Sequence, residues 1–430
     1  MKEEDSLPHQ IFGSENLQNE IKKALERFHG IFARQVRPEP AKLPAFHLEL
    51  TLDETWTKSK SNSGRPRPVT NSKQNEMDKQ VEQMLDLQVI ELSTALNYSQ
   101  VHMVPKVPEG WRFALDYREL NLNTRGYSWP IPNIREMFAR IGEQHPKYFC
   151  VLDLTSGYHQ IEVANPSRAL TAFITQKGIF QFKRLPMGIK GAPAYFQKMM
   201  TSIVLVGLVY QICEVYLDDC LVYAQTEKQL IINLYKIFER FEKYNLTLNP
   251  KKCRFGMTEV EYVGVVLNEH GLSFSKEKKD SIMNFPKPIV QKQLKSFVGL
   301  ANYFRTHVLN HSTIIRPLEG MLTNYKRTTR LEWTDEQIQA FEDMKLAIHN
   351  CQTLTFLDGQ GEVHLKTDAS YYGMGALLYQ IRQGNEYPVA CLSKTLSKEQ
   401  LRWKVPEKEC YAIFWSFKKL AYLIRDIHFT

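Results

Sequence analysis

The sequence predicts a mixed α+β protein, and three observations carry that prediction. Residues 148–154 form a near-continuous apolar run broken by one carboxylate, Asp153, as in a buried strand. Two stretches, 173–185 and 211–224, set apolar arms around a turn, at Gly178 and at Asp218-Asp219, as hairpins do. Between and beyond them, apolar residues recur at helical spacing behind capping residues.

In chain order, residues 11–35 pattern as an amphipathic helix, followed by a Pro-punctuated segment at 37–44. Residues 57–71, rich in Lys, Ser, Arg and Pro, read as loop or linker, and helical periodicity resumes at Met77, Val81, Met84, Leu85 and Ile90. Pro193 opens a helix running through Met200 toward Val206. Thr226 and Gln229 form a capping-box pattern, with Leu230, Leu234, Phe238 and Phe241 on one face behind it. A second box, Thr334 and Gln337, opens a helix carrying Ile338, Phe341 and Ile348. After Gly361, short strands at 363–368, 374–380 and 387–392 precede a helix begun by Pro406 and running to about Ile424.

Composition narrows the class. The 430 residues are 43% apolar and 24% charged, which suits a folded chain and not a disordered one. The net charge of +8 permits a polyanionic partner without establishing one. The longest apolar run, Ile203–Tyr210, is far short of the ~20 residues of a membrane helix. The opening MKEEDS is acidic, unlike the basic start of a secretory signal. Seven cysteines without a C-x-x-C pair read as free thiols in a reducing compartment. His307 and His311 have i,i+4 spacing, but no glutamate or cysteine pair beside them points to zinc.

The chemistry lies in the aspartates. A carboxylate between Leu152 and Leu154 is costly unless it is paired, hydrogen-bonded or bound to a cation. Adjacent Asp218 and Asp219 repel each other, and a divalent ion keeps both ionised. Two Mg²⁺ held by such groups suit an in-line displacement at phosphorus. An Asp-Asp pair is also ordinary turn chemistry, so this motif alone leaves both readings open.

The surrounding words resemble a family. VPEGWRFALDYRELN (107–121), FCVLDLTSGYHQI (149–161), FKRLPMGIKGAPAYFQKMM (182–200) and VYLDDCLVYA (215–224) stand in the order seen in reverse transcriptases, and look most like those of gypsy-type LTR retrotransposons. LTLNPKKCRFG (246–256), YVGVVLNEHGL (262–272) and LKSFVGLANYFR (294–305) continue the likeness, which extends over roughly residues 65–430. It implies a right-hand polymerase with fingers, palm and thumb, then a connection and an incomplete ribonuclease-H-like α/β domain. The boundaries it suggests are 1–64 for an N-terminal segment, 65–275 for fingers and palm, 276–330 for thumb, 331–360 for connection and 361–430 for the last domain.

The resemblance also implies roles. Asp153, Asp218 and Asp219 match the metal-binding catalytic aspartates, with two Mg²⁺ (or Mn²⁺) as cofactor. Tyr158 matches the aromatic under the incoming sugar that excludes a 2′-hydroxyl, and Lys106 and Arg112 match finger residues on the triphosphate. Met187 and Gly188 stand where retroviral enzymes have Gln-Gly, with Met187 expected to pack near the nucleotide. Tyr262–Val266 resembles the hairpin that grips the primer end, and basic clusters at Lys276, Lys278, Lys279 and Lys326, Arg327, Arg330 suit phosphate contacts or a solvated face. Asp368 and Glu409 match the first two ribonuclease H carboxylates. The third falls on a strand that IHFT (427–430) begins, Asp426 precedes it, and no ribonuclease H activity is expected. The implied partners are an RNA or DNA template with its primer, and dNTPs. The rival expectations are a relic that binds nucleic acid without catalysis, and a polymerase that copies only DNA.

Overall fold

The computed structural model describes residues 7–51, 55–59, 62–106, 110–359, 361–425 and 427–430. The chain divides into two compact units, one of residues up to Asn133 with Tyr148–Met257, the other of Ile134–Lys147 with Thr258–Thr430.

In the first unit the Ser14 hydroxyl accepts from the Leu17 amide and caps α1 (Glu15–Arg27). The helix stops short of the 11–35 pattern, because Phe28 leaves helical geometry and a 3-10 turn follows. A single turn, α2 (Thr55–Lys58), overlaps the start of the Lys- and Pro-rich stretch at 57–71, ahead of α3 (Asn71–Asp86). The periodicity read through Ile90 overruns the helix. Gln88 takes a left-handed φ of 53° and turns the chain, so Ile90 opens β1 (Ile90–Leu92).

Next come the hairpin β2 (Ser99–Pro105) and β3 (Trp111–Leu115), and then α4 (Arg118–Asn123). α5 (Ile134–Glu143) belongs to the second unit. β4 (Tyr148–Asp153) is the apolar run, and α6 (Asn165–Arg168) is one turn. β5 (Phe173–Thr175) and β6 (Gly178–Phe182) form the hairpin around Gly178, which has a φ of 133°. α7 (Ala192–Met199) runs into a π-helical turn, Met200–Val204. β7 (Cys213–Tyr216) and β8 (Asp219–Ala224) form the aspartate hairpin, and α8 (Glu227–Lys243) and β9 (Arg254–Met257) complete the unit.

The strands make two sheets, β1-β6-β5-β2-β3 and β7-β8-β4-β9. α8 buries Leu230, Leu234, Phe238 and Phe241, the face its sequence predicts. Phe28, at the end of α1, sets its ring edge-on to Tyr235 and Phe238 with centroids 5.5 and 5.6 Å away. The N-terminal helix is therefore part of the core under the aspartate sheet.

The second unit begins its own sheet with β10 (Glu259–Tyr262) and β11 (Val265–Asn268). Val263 and Gly264, both at positive φ, form the two-residue turn between them. β12 (Gly271–Ser273) follows, then α9 (Lys276–Met283), α10 (Gln291–Tyr303), α11 (His311–Gly320) and α12 (Asp335–His349). The Thr334–Gln337 box at α12 forms reciprocally, and β13 (Leu354–Thr355) closes the sheet β10-β11-β12-β13. β14 (Glu362–Ala369), β15 (Gly373–Arg382) and β16 (Asn385–Thr395) form an antiparallel sheet against which α13 (Val405–Ile424) packs, the strand–strand–strand–helix order read from sequence.

His307 and His311 are buried in this unit. The His307 ring lies 4.4 Å from Phe274, and His311 Nε2 is 3.1 Å from the Ala301 carbonyl. Among the described residues no group of His, Cys, Asp or Glu is arranged around them to hold a metal.

Candidate active site

The site is built on the central strands of the β7-β8-β4-β9 sheet. β4 and β8 are antiparallel, and their register sets Asp153 directly opposite Asp219. The hairpin from β7 closes at the pair Tyr216–Asp219, so its two-residue turn is Leu217-Asp218 and Asp219 is the first residue of β8. Leu217 takes a φ of 57°, a conformation that costs a branched side chain free energy and persists only where its surroundings hold it.

Burial and mutual repulsion shape the charges. Asp219 is pushed up to about 6, first by burial, then by the charges of Asp218 and Asp153, with Lys252 pulling the other way. Asp153 is raised by burial, opposed by Lys252, whose Nζ lies 3.1 Å from Oδ2. The main chain of Asp153 is fixed too: its carbonyl accepts from the Asn249 amide at 2.8 Å.

After β4 the chain turns sharply through Ser156, at a φ of 46°, into a short 3-10 turn carrying Tyr158. A Cβ on Gly157 would lie 3.1 Å from the Phe196 ring and 3.5 Å from the Asp218 Cβ, so a side chain there would crowd the hairpin. Tyr158 is half-buried with its ring 5.2 Å from Phe196, and burial, with the Asp218 charge adding to it, pushes its phenol up to about 12. Tyr158 and the three aspartates therefore come together.

The other predicted residues sit elsewhere. Met187 is 57% exposed. Gly188, next to it, has a φ of 92° and a carbonyl that accepts from Asn121 Nδ2 at 2.8 Å. Lys106 and Arg112 are both exposed at the tip of the β2–β3 hairpin, in the five-stranded sheet and not the one that bears the aspartates. In the second unit Asp368 is exposed on β14 and Glu409 half-buried on α13, while Asp426 lies outside the described residues.

Several supporting residues escape a reading of sequence alone. Lys252 sits in a matched motif, but its ion pair with Asp153 spans 99 positions. Gln160 is buried and bridges two loops, donating to the Thr155 and Thr247 carbonyls and accepting from the Thr247 amide. Arg184 is buried and donates to the carbonyls of Arg37, Pro38 and His159, tying the Pro-rich N-terminal segment to the turn that carries Tyr158. The Arg-Leu-Pro-Met-Gly motif shows where Arg184 stands, but not that it faces inward.

Asp153 and Asp219, both raised, are hard-oxygen donors of the kind a divalent cation takes, and a cation would reverse the shift that repulsion imposes. Among the described residues no group of three or more His, Cys, Asp or Glu is arranged to hold a metal ion. Mg²⁺ fills much of its octahedron with water and substrate phosphate and needs few protein ligands.

Comparison with known proteins fits this arrangement. Residues 104–267 match the family model of reverse transcriptase (RNA-dependent DNA polymerase), and residues 333–430 match the RNase H-like domain found in reverse transcriptase. The Pol polyprotein of transposon 412 from Drosophila melanogaster is 34% identical over 361 residues, 83% of this chain and 29% of the relative. That of transposon opus, also from Drosophila melanogaster, is 34% identical over 387 residues, 87% of this chain and 38% of the relative. The Tf2-3 polyprotein of Schizosaccharomyces pombe is 31% identical over 385 residues, 89% and 28% of the two chains. The chain thus spans about a third of the length of these relatives. A foamy viral protease-reverse transcriptase solved with double-stranded DNA superposes with a TM-score of 0.82 at 22% identity, covering 96% of this chain and 70% of that one. The same viral protein with an RNA/DNA hybrid gives 0.79, covering 96% and 54%.

Fold and matched domains together define a chain with a reverse transcriptase domain followed by an RNase H-like domain. The relatives it resembles are Pol polyproteins of LTR retrotransposons, gypsy-type in Drosophila. Reverse transcriptases as a family depend on divalent metal.

Proposed function

We propose that this chain is an RNA-directed DNA polymerase that adds deoxynucleotides to a primer on an RNA or DNA template. One observation carries the reading: Asp153 and Asp219 face each other across paired strands with Asp218 at the adjoining turn, inside a matched reverse transcriptase domain. Asp153, Asp218 and Asp219 are the residues that would hold Mg²⁺. Bound there, the metal supplies Lewis-acid activation of a primer hydroxyl and neutralises charge on the leaving pyrophosphate. The protein's own groups do the rest. Tyr158, braced on Phe196 beside Asp218, closes the space a 2′-hydroxyl would need. Lys106 and Arg112 supply exposed cations for a triphosphate from the finger hairpin, and Arg suits it because its planar fork bonds two oxygens at once. Met187 and Gly188 line the nucleotide's approach. We assign fingers and palm to 65–275, thumb to 276–330 and connection to 331–360.

Primer extension on an RNA template tests the proposal: wild-type protein extends the primer and Asp153→Asn does not. Folded wild-type protein that binds the hybrid yet incorporates nothing would instead favour a nucleic-acid binder without catalysis.

A further inference from the structure

β7 is the edge strand of the aspartate sheet; its outer side bridges Val209 at Cys213, and among the described residues no strand lies beside its end nearer the turn. Because Tyr216 pairs inward with Asp219, the groups of residues 215 and 217 point outward, one on each side of it. Both bond to one side chain. Gln197 of α7, which is fully buried, donates from Nε2 to the Val215 carbonyl at 2.9 Å and accepts at Oε1 from the Leu217 amide at 2.8 Å. Its amide takes the place of a missing strand for one peptide's length. The residue it holds is the one at strained φ, immediately before Asp218.

We propose that Gln197 is a positioning residue for polymerisation: its side-chain amide fixes the left-handed conformation of Leu217 and so sets the direction of the Asp218 carboxylate. Without the brace, Leu217 relaxes toward negative φ, and the turn swings Asp218 away from Asp153 and Asp219. An apolar residue of the same size would fill the space and leave the buried Val215 carbonyl and the half-buried Leu217 amide without partners. The consequence for catalysis rests on the polymerase reading above; the brace itself does not.

Hydrogen exchange separates the two. In wild-type protein the Leu217 amide is protected although it lies in a turn. Gln197→Met keeps the volume and removes both bonds, and the Leu217 amide then exchanges about 100-fold faster while the strand amides of β4 and β8 stay protected. Gln197→Glu, which still accepts from the Leu217 amide, restores protection. In primer extension Gln197→Met raises the Mg²⁺ concentration for half-maximal incorporation at least about fivefold and lowers the maximal rate, with hybrid Kd unchanged. A freely exchanging Leu217 amide in wild-type protein overturns the brace without recourse to any variant. Lost protection in Gln197→Met with unaltered metal dependence overturns the positioning role. An inactive wild type with a protected Leu217 amide would count against the polymerase reading and leave the brace standing.

Discussion

The two buried histidines of the second unit make it acid-sensitive, and the size of the effect follows from their surroundings. Burial lowers both His307 and His311 to about 4, with Lys279 and Arg305 respectively adding to it, against partial relief from hydrogen bonds to the Leu272 and Ala301 backbone. In the unfolded chain each titrates near 6.5. As pH falls below that value the unfolded state takes up protons that the folded state refuses, so stability is lost between about pH 6.5 and pH 4. Relative to pH 8, each ring costs about 2 kcal/mol at pH 5, and the pair about 4 kcal/mol, a large share of the roughly 5–15 kcal/mol that holds an ordinary domain. Native-state hydrogen exchange of the α10 and α11 amides, corrected for intrinsic rates, reads this as an opening free energy. His311→Gln keeps a donor for the Ala301 carbonyl and His307→Leu keeps the bulk against Phe274, so the double variant should lose most of the pH slope. A double variant as acid-sensitive as wild type would refute the argument.

Three other outcomes follow from the site and core. Tyr158→Val should admit ribonucleotides, seen as a lower ratio of dNTP to NTP incorporation efficiency; unchanged discrimination removes Tyr158 from that role. Phe28→Ala should cost about 3–5 kcal/mol in urea unfolding, because a fully buried ring leaves a cavity between α1 and α8; a cost below 1 kcal/mol would mean the N-terminal helix is not part of this core. Chelation by EDTA should abolish primer extension, with Mg²⁺ restoring it, while melting of the free protein barely moves.

Local patterns were legible wherever neighbours in sequence decide the structure. The hairpin at Gly178, the helix starts at Thr226 and Thr334 and the order of the last three strands and helix follow from turn chemistry and periodicity. The aspartate hairpin instead turns at Leu217-Asp218, one residue before the expected Asp218-Asp219. The Thr226 box forms only in half, because the Gln229 side chain donates to Asn233. The pattern failed at Ile90, where Gln88 takes a left-handed turn that no local propensity demands, and at the end of α1, where Phe28 gives up helix geometry to pack on α8. The aspartates were legible because carboxylates in apolar strands are expensive and therefore conspicuous. Their supports were not. Lys252, Gln160, Arg184 and Gln197 are ordinary residues in sequence, and their roles arise from partners that only the folded chain brings near: Arg37 is 147 positions from Arg184, and Thr247 is 87 from Gln160.

If Asp153, Asp218 and Asp219 carry polymerisation, removing one carboxylate stops nucleotide addition without weakening duplex binding. Single-turnover addition of one dNTP to a primer on RNA, measured beside hybrid affinity for wild type and Asp218→Asn, decides it. The rate should fall at least about 10³-fold with Kd for the hybrid unchanged, since the lost group acts on the transition state and not on duplex binding. A variant that incorporates at the wild-type rate would remove Asp218 from the metal site.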